Sequence, residues 1–124
     1  MLEVSELEVI LQTVYEHYKV TDTPEITLEA NPDDLDEEKI KALSNTKINR
    51  LSIGIQSFHE SDLTTMNRAH NATEAKKCLE IATTYFDNIT IDLMFGMPTM
   101  SVAQWRQNLQ TAFGFGIKHL SCYA

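Results

Sequence analysis

Four polar residues, Glu29, Gln56, Asp92 and Tyr123, stand where α/β proteins usually assemble chemistry. Each falls near the carboxyl end of a segment with strand character, the end at which such folds build their sites. Asp92 lies between Ile91 and Leu93, and a carboxylate there needs a partner. Glu29 also reads as a solvated strand-end acid, and Gln56 as a buried amide satisfying a loop. Arg68 follows Gln56 by twelve residues and has two readings. It is a surface cation pairing with Glu60 or Asp62, or a grip for a carboxylate through two parallel hydrogen bonds. His70 reads as a loop end or a cap for the next helix. Cys78 and Cys122 have neither metal-motif nor scaffold spacing and are expected as reduced, buried thiols.

The elements that position these residues alternate along the chain. Leu7, Ile10, Leu11, Val14 and Tyr18 recur at helical spacing behind a capping box of Ser5 and Glu8. A short strand is expected over 25–29, ended by Asn31-Pro32, and Asp36 caps a helix carrying Ile40 and Leu43. A second strand runs over 49–56, and Leu63 and Met66 mark a short helix. Asn71 with Glu74 opens a helix whose Ala75, Cys78, Leu79 and Ala82 form an apolar stripe. The third strand, 88–94, breaks at Gly96-Met97-Pro98. Ser101 with Gln104 opens a helix bearing Trp105, Leu109 and Phe113, which Gly114 or Gly116 stops. A fourth strand is expected over 118–123.

Strands separated by helices imply right-handed crossovers and a parallel sheet. Parallel strands covered on both faces are nearly all apolar, but here the pattern alternates. Leu51, Ile53 and Ile55 interleave with Ser52, Gly54 and Gln56, and Ile89, Ile91 and Leu93 with Thr90, Asp92 and Met94. One face therefore carries helices while the other is small and polar. The expected fold is α/β, a partial TIM-like barrel of about four parallel strands with helices on the outer face and a polar chamber within. A two-layer sheet with one solvated face is the plainer alternative.

The 124 residues form a single domain, with 43% hydrophobic and 23% charged residues. A formal charge of −8 disfavours direct contact with nucleic acid. No apolar run approaches the roughly 20 residues of a membrane span, and the start lacks a leader pattern; a cytoplasmic protein is expected. No glycine-rich phosphate loop is visible, although Lys47 and Lys118 leave a phosphate-binding barrel as a remote alternative.

Three stretches occur in a characteristic order: Leu28-Glu29-Ala30-Asn31-Pro32, then residues 49–58 (Asn49-Arg50-Leu51-Ser52-Ile53-Gly54-Ile55-Gln56-Ser57-Phe58), then Ile91-Asp92-Leu93-Met94-Phe95-Gly96-Met97-Pro98. From Ser5 to Ala124 the chain resembles the oxygen-independent coproporphyrinogen III oxidase family of radical S-adenosylmethionine enzymes, which includes closely similar haem chaperones. Arg68-Ala69-His70 and Trp105 resemble the chaperone branch. The resemblance implies that Glu29 helps bind the amino-acid end of S-adenosylmethionine, that Arg68 pairs with its carboxylate, and that Gln56 meets its methionine or ribose portion. It further implies that Asp92 holds a ribose hydroxyl, that Met94 gives a backbone contact beside adenine, and that Ala124 is the last adenine-side position.

The same resemblance implies a 4Fe–4S cluster on a C-x-x-x-C-x-x-C loop, and this sequence has none. The expectation is an internal fragment, lacking an N-terminal cluster-binding part and a C-terminal domain, inert by itself and carrying no cofactor alone. The parent would decarboxylate porphyrinogen propionates oxidatively or, as a chaperone, bind and deliver haem. Removing neighbouring strands leaves open sheet edges, so an edge-strand homodimer is also expected.

Overall fold

Three of the four helix caps expected from sequence form as read. The Asp36 carboxylate accepts the Lys39 N–H at 2.7 Å and starts α2, Glu37–Ser44. Asn71 and Glu74 satisfy each other's backbone donors at 2.9 Å each, opening α4, Ala72–Tyr85. Ser101 and Gln104 do the same at α5, Val102–Gly114. The first helix differs. α1, Val4–His17, starts two residues earlier than Ser5 would place it, and the Glu3 N–H donates to the Glu6 carboxylate at 2.8 Å. The same i, i+3 spacing occurs at both places, and the chain uses the earlier one.

The computed structural model describes residues 1–124. Four strands complete it, β1 Thr27–Ala30, β2 Arg50–Gln56, β3 Ile89–Met94 and β4 His119–Tyr123, with a 3-10 turn at Pro32–Asp34 and the short helix α3, Glu60–Thr65. All pairings are parallel and the spatial order is β1-β2-β3-β4. An order that follows the sequence is barrel winding, in which every crossover proceeds in one direction. The fold is thus α/β, with four parallel strands in one sheet.

Leu51, Ile53, Ile55, Ile91 and Leu93 are fully buried, together with Ile40 and Leu43 of α2, Ala75, Leu79 and Ala82 of α4, and Ala112 of α5. Val4, Leu7 and Leu11 of α1 pack at the margin of this core, whereas Ile10, Val14 and Tyr18 are exposed. On α5, Trp105 and Leu109 are partly buried against the core and Phe113 is exposed. The Trp105 ring instead meets Phe95 at 5.7 Å between centroids. α5 ends where Gly116 takes φ +74°. Its N–H returns to the Phe113 carbonyl at 2.9 Å and that of Ile117 to Ala112 at 3.3 Å, closing the last turn.

Cys78 is buried in α4, and burial pushes its thiol up to about 12. Cys122 is exposed, contrary to expectation. Alternation assigns it to the apolar face of β4, but β4 is an edge strand and no layer covers that face at Cys122. No helix is long and apolar enough to cross a membrane.

Candidate functional site

The uncovered face of the sheet carries Glu29 opposite Ser52, Asp92 opposite Ser121, and Met94 opposite Tyr123. Glu29, Asn31, Ser52, Gly54, Gln56 and Asp92 line a crevice of about 290 Å³ there, which Met1 and Asp34 border. A larger groove of about 690 Å³ runs between α1 and the end of α2, where Lys47 lies 4.6 Å from the Tyr15 ring centroid. That groove is lined by side chains of α1 and of the turn after α2 and gathers no strand-end residue, so the smaller crevice is the better site.

Gln56 ends β2 with φ 68°, a conformation disfavoured for a residue with a Cβ. The Ser57 N–H turns back to the Ile55 carbonyl at 2.8 Å, and the pairing with β3 shifts register here. Backbone strain of this kind persists only where surroundings impose it, and it concentrates at functional positions. Two groups impose it here. The Tyr123 hydroxyl donates to Gln56 Oε1 at 2.7 Å. Behind Gln56, the buried Ser57 donates to Asp62 Oδ2 at 2.7 Å while its oxygen accepts from Asn108 Nδ2 at 3.0 Å.

Asp92 is half-buried. Burial is the largest influence on its carboxyl and raises its pKa above the ordinary aspartate value, and the Glu29 charge raises it further. The Ser121 hydroxyl and the Arg50 guanidinium oppose the shift. Arg50 lies across the floor of the same face, donating to Thr27 Oγ1 at 3.1 Å, to Thr90 Oγ1, and to His119 Nδ1 at 3.1 Å. Sequence reading does not single out Arg50, because its partners come from three other strands.

Arg68 pairs with neither Glu60 nor Asp62. Glu60 accepts the Ala72 N–H at 3.0 Å, and Asp62 is fully buried. The Arg68 Nη2 donates instead to Asn31 Oδ1 at 2.5 Å and to the Gly54 carbonyl at 3.3 Å, at the rim of the crevice. Its Nε is buried without a partner. A Cβ built on Gly54 would stand 2.9 Å from Asn31 Oδ1, 3.2 Å from Gln56 Nε2 and 3.4 Å from Arg68 Nη2. Glycine inside a strand signals close approach of other groups, and that signal is present in the sequence. The buried His70 is a structural link, its Nε2 on the Ile55 carbonyl at 3.1 Å and its Nδ1 3.7 Å from Asp33.

Glu29, Gln56 and Asp92 are thus brought to one crevice with Arg68 at its rim. Met94 and Ala124 do not line it. They lie to one side at the β3–β4 end, where the Phe95 N–H donates to the Tyr123 carbonyl at 2.9 Å.

A parallel sheet in barrel order, with a polar face and acids at its strand ends, defines an α/β barrel segment. Residues 4–112 match the Radical SAM superfamily, and the chain belongs to that superfamily. Similar proteins there include heme chaperones. It is 37% identical over 105 residues to the heme chaperone HemW of Bacillus subtilis, covering 84% of this chain and 28% of the relative. It is 36% identical to radical S-adenosyl methionine domain-containing protein 1, mitochondrial, of Mus musculus, covering 94% and 26%. The structure of coproporphyrinogen III oxidase HemN from Escherichia coli aligns with TM-score 0.85 at 22% identity, over 98% of this chain and 28% of that one. The chain spans about a quarter to a third of the length of such relatives.

Proposed function

We propose that this chain is an S-adenosylmethionine-binding segment of a radical S-adenosylmethionine protein in the haem chaperone branch. The observation that carries the reading is the convergence of Glu29, Gln56 and Asp92 on one crevice with Arg68 beside it. The residues present fit the cofactor. A zwitterionic amino-acid end calls for one acid and one base, which Glu29 and the guanidinium of Arg68 provide. The unpartnered, buried Nε of Arg68 leaves a donor for a ligand carboxylate. Asp92 is suited to accept from a ribose diol, Gln56 to meet the methionine or ribose portion, and Gly54 keeps the crevice open. Met94 and Ala124 would flank adenine from the β3–β4 side. S-adenosylmethionine supplies, when bound and reduced, the hydrogen-abstracting chemistry of the superfamily; the chain's own residues hold and orient it.

The residues do not fit an iron–sulfur cluster. Cys78 is buried within α4 and Cys122 is exposed on β4, so the two thiols do not converge as cluster ligands must.

For the whole protein, the names of the relatives at 37% and 32% identity support haem binding and delivery over porphyrinogen decarboxylation. Titration of the 124-residue chain with S-adenosylhomocysteine, followed by amide NMR, tests the site. Shifts clustered at Glu29, Gln56, Arg68 and Asp92 are expected, and an unchanged spectrum at millimolar ligand refutes the assignment. For the parent, a Soret band on haem addition with no decarboxylated porphyrinogen favours the chaperone role, and turnover favours the oxidase.

A further inference from the structure

The partners of Arg68 are unusual for so acidic a chain. The sequence has 18 acids against 10 lysines and arginines, yet no carboxylate pairs with this guanidinium. The backbone aims it with care. α3 ends with Asn67 at φ 52°, a conformation that asparagine tolerates. The Asn67 N–H bonds to the Thr64 carbonyl at 3.0 Å and the Arg68 N–H to Leu63 at 2.9 Å. The side chain then reaches the strand end and meets two neutral acceptors, Asn31 Oδ1 and the Gly54 carbonyl.

We propose that Asn31 is a positioning residue for Arg68, chosen by charge as well as by shape. An amide oxygen fixes the guanidinium at the crevice rim and leaves its positive charge uncancelled, free to meet the carboxylate of an amino-acid ligand. Aspartate is nearly isosteric and would hold the arginine more firmly, because a charge-assisted bond is the stronger one. It would also neutralise the group the ligand needs. Position 31 thus separates anchoring from charge, and only a neutral acceptor supplies the first without removing the second. The inference rests on the reading of the crevice as the amino-acid end of an S-adenosylmethionine site.

The test uses the 124-residue chain with two probes, S-adenosylhomocysteine and 5′-methylthioadenosine, which share the nucleoside and differ in the amino-acid end. Wild type should prefer S-adenosylhomocysteine, and its Arg68 Nε–H resonance should shift with that ligand alone. Asn31→Asp should match or exceed wild type in thermal stability and bind S-adenosylhomocysteine about tenfold more weakly, with 5′-methylthioadenosine unaffected. Asn31→Ala leaves the charge but removes the anchor, so the preference should shrink and the Arg68 Nε–H signal should broaden. This second variant decides the matter if the first fails to fold. A preference in wild type that survives unchanged in Asn31→Asp, or in Asn31→Ala if only that variant folds, overturns the positioning role alone. A wild type that binds both probes equally overturns the reading of the crevice and the inference with it.

Discussion

Replacing Asp62 with alanine should destabilise the chain by about 2–3 kcal/mol, although Asp62 touches no part of the crevice. Its carboxylate is fully buried and accepts from two hydroxyls, Ser57 at 2.7 Å and Thr99 at 3.0 Å. The two donors are not equivalent. Thr99 is exposed and can turn to water. Ser57 is fully buried, and its oxygen already accepts from the His59 N–H at 3.1 Å and Asn108 Nδ2 at 3.0 Å. Without Asp62 its proton has only Asn108 Oδ1 at 3.4 Å, an atom already holding the Phe58 N–H at 2.9 Å. A hydrogen bond to a charged group contributes about 1.5–3 kcal/mol, and the cavity adds to its loss. Relief from burying a carboxylate subtracts from the total. Asp62→Asn keeps an acceptor for Ser57 and lets Thr99 accept, so its cost should be about 1 kcal/mol. Thr99→Val should cost less still. Urea unfolding of the three variants, with slopes equal to wild type, gives the ranking. A loss below about 1 kcal/mol for Asp62→Ala, or a larger one for Thr99→Val, would refute the reasoning. Because Ser57 follows the strained Gln56, the alanine variant should also weaken the Tyr123–Gln56 hydrogen bond, visible as a shifted Gln56 side-chain amide resonance.

Gly54→Ala should fold, since the three atoms its Cβ would crowd end flexible side chains, but should lower S-adenosylhomocysteine affinity by about tenfold or more; unchanged affinity counts against the crevice. Asp92→Asn should stabilise the chain at neutral pH. The folded state raises the Asp92 pKa, so the proton is held more tightly in the fold, and the stability difference from wild type should vanish as pH falls below the ordinary value of 3.8. A difference that grows on acidification would reverse the assigned sign. Native chain at neutral pH should take up one equivalent of a thiol reagent, at exposed Cys122, with Cys78 reacting only on unfolding; two fast equivalents would contradict the packing of α4. The outer edges of β1 and β4 are unpaired, so sedimentation should reveal concentration-dependent dimers, and a monomer throughout would remove that expectation.

What the sequence made legible is what short-range physics decides. Strand alternation located the core and the polar face, and the i, i+3 signatures at Asn71 and Ser101 located two helix starts, because each rule involves neighbours along the chain. The errors share a cause. Cys122 falls on the apolar face by alternation, but burial needs a covering layer, which lies beyond any local pattern. Phe113 keeps helical spacing with Trp105 and Leu109, yet Asn108 and Ala112 are buried in its stead. Asp62 reads as a surface partner for Arg68 until Asn108, 46 positions away, closes over Ser57. The partner Arg68 does take, Asn31, lies 37 positions back in another loop. Local rules therefore name residues that meet at the crevice, and tertiary contacts decide their pairing. Pairing is what separates an arginine whose charge is spent from one whose charge is available. On the proposed reading that distinction rests on an amide at position 31, and replacing the asparagine between Ala30 and Pro32 by aspartate is the change expected to separate fold from ligand binding most sharply.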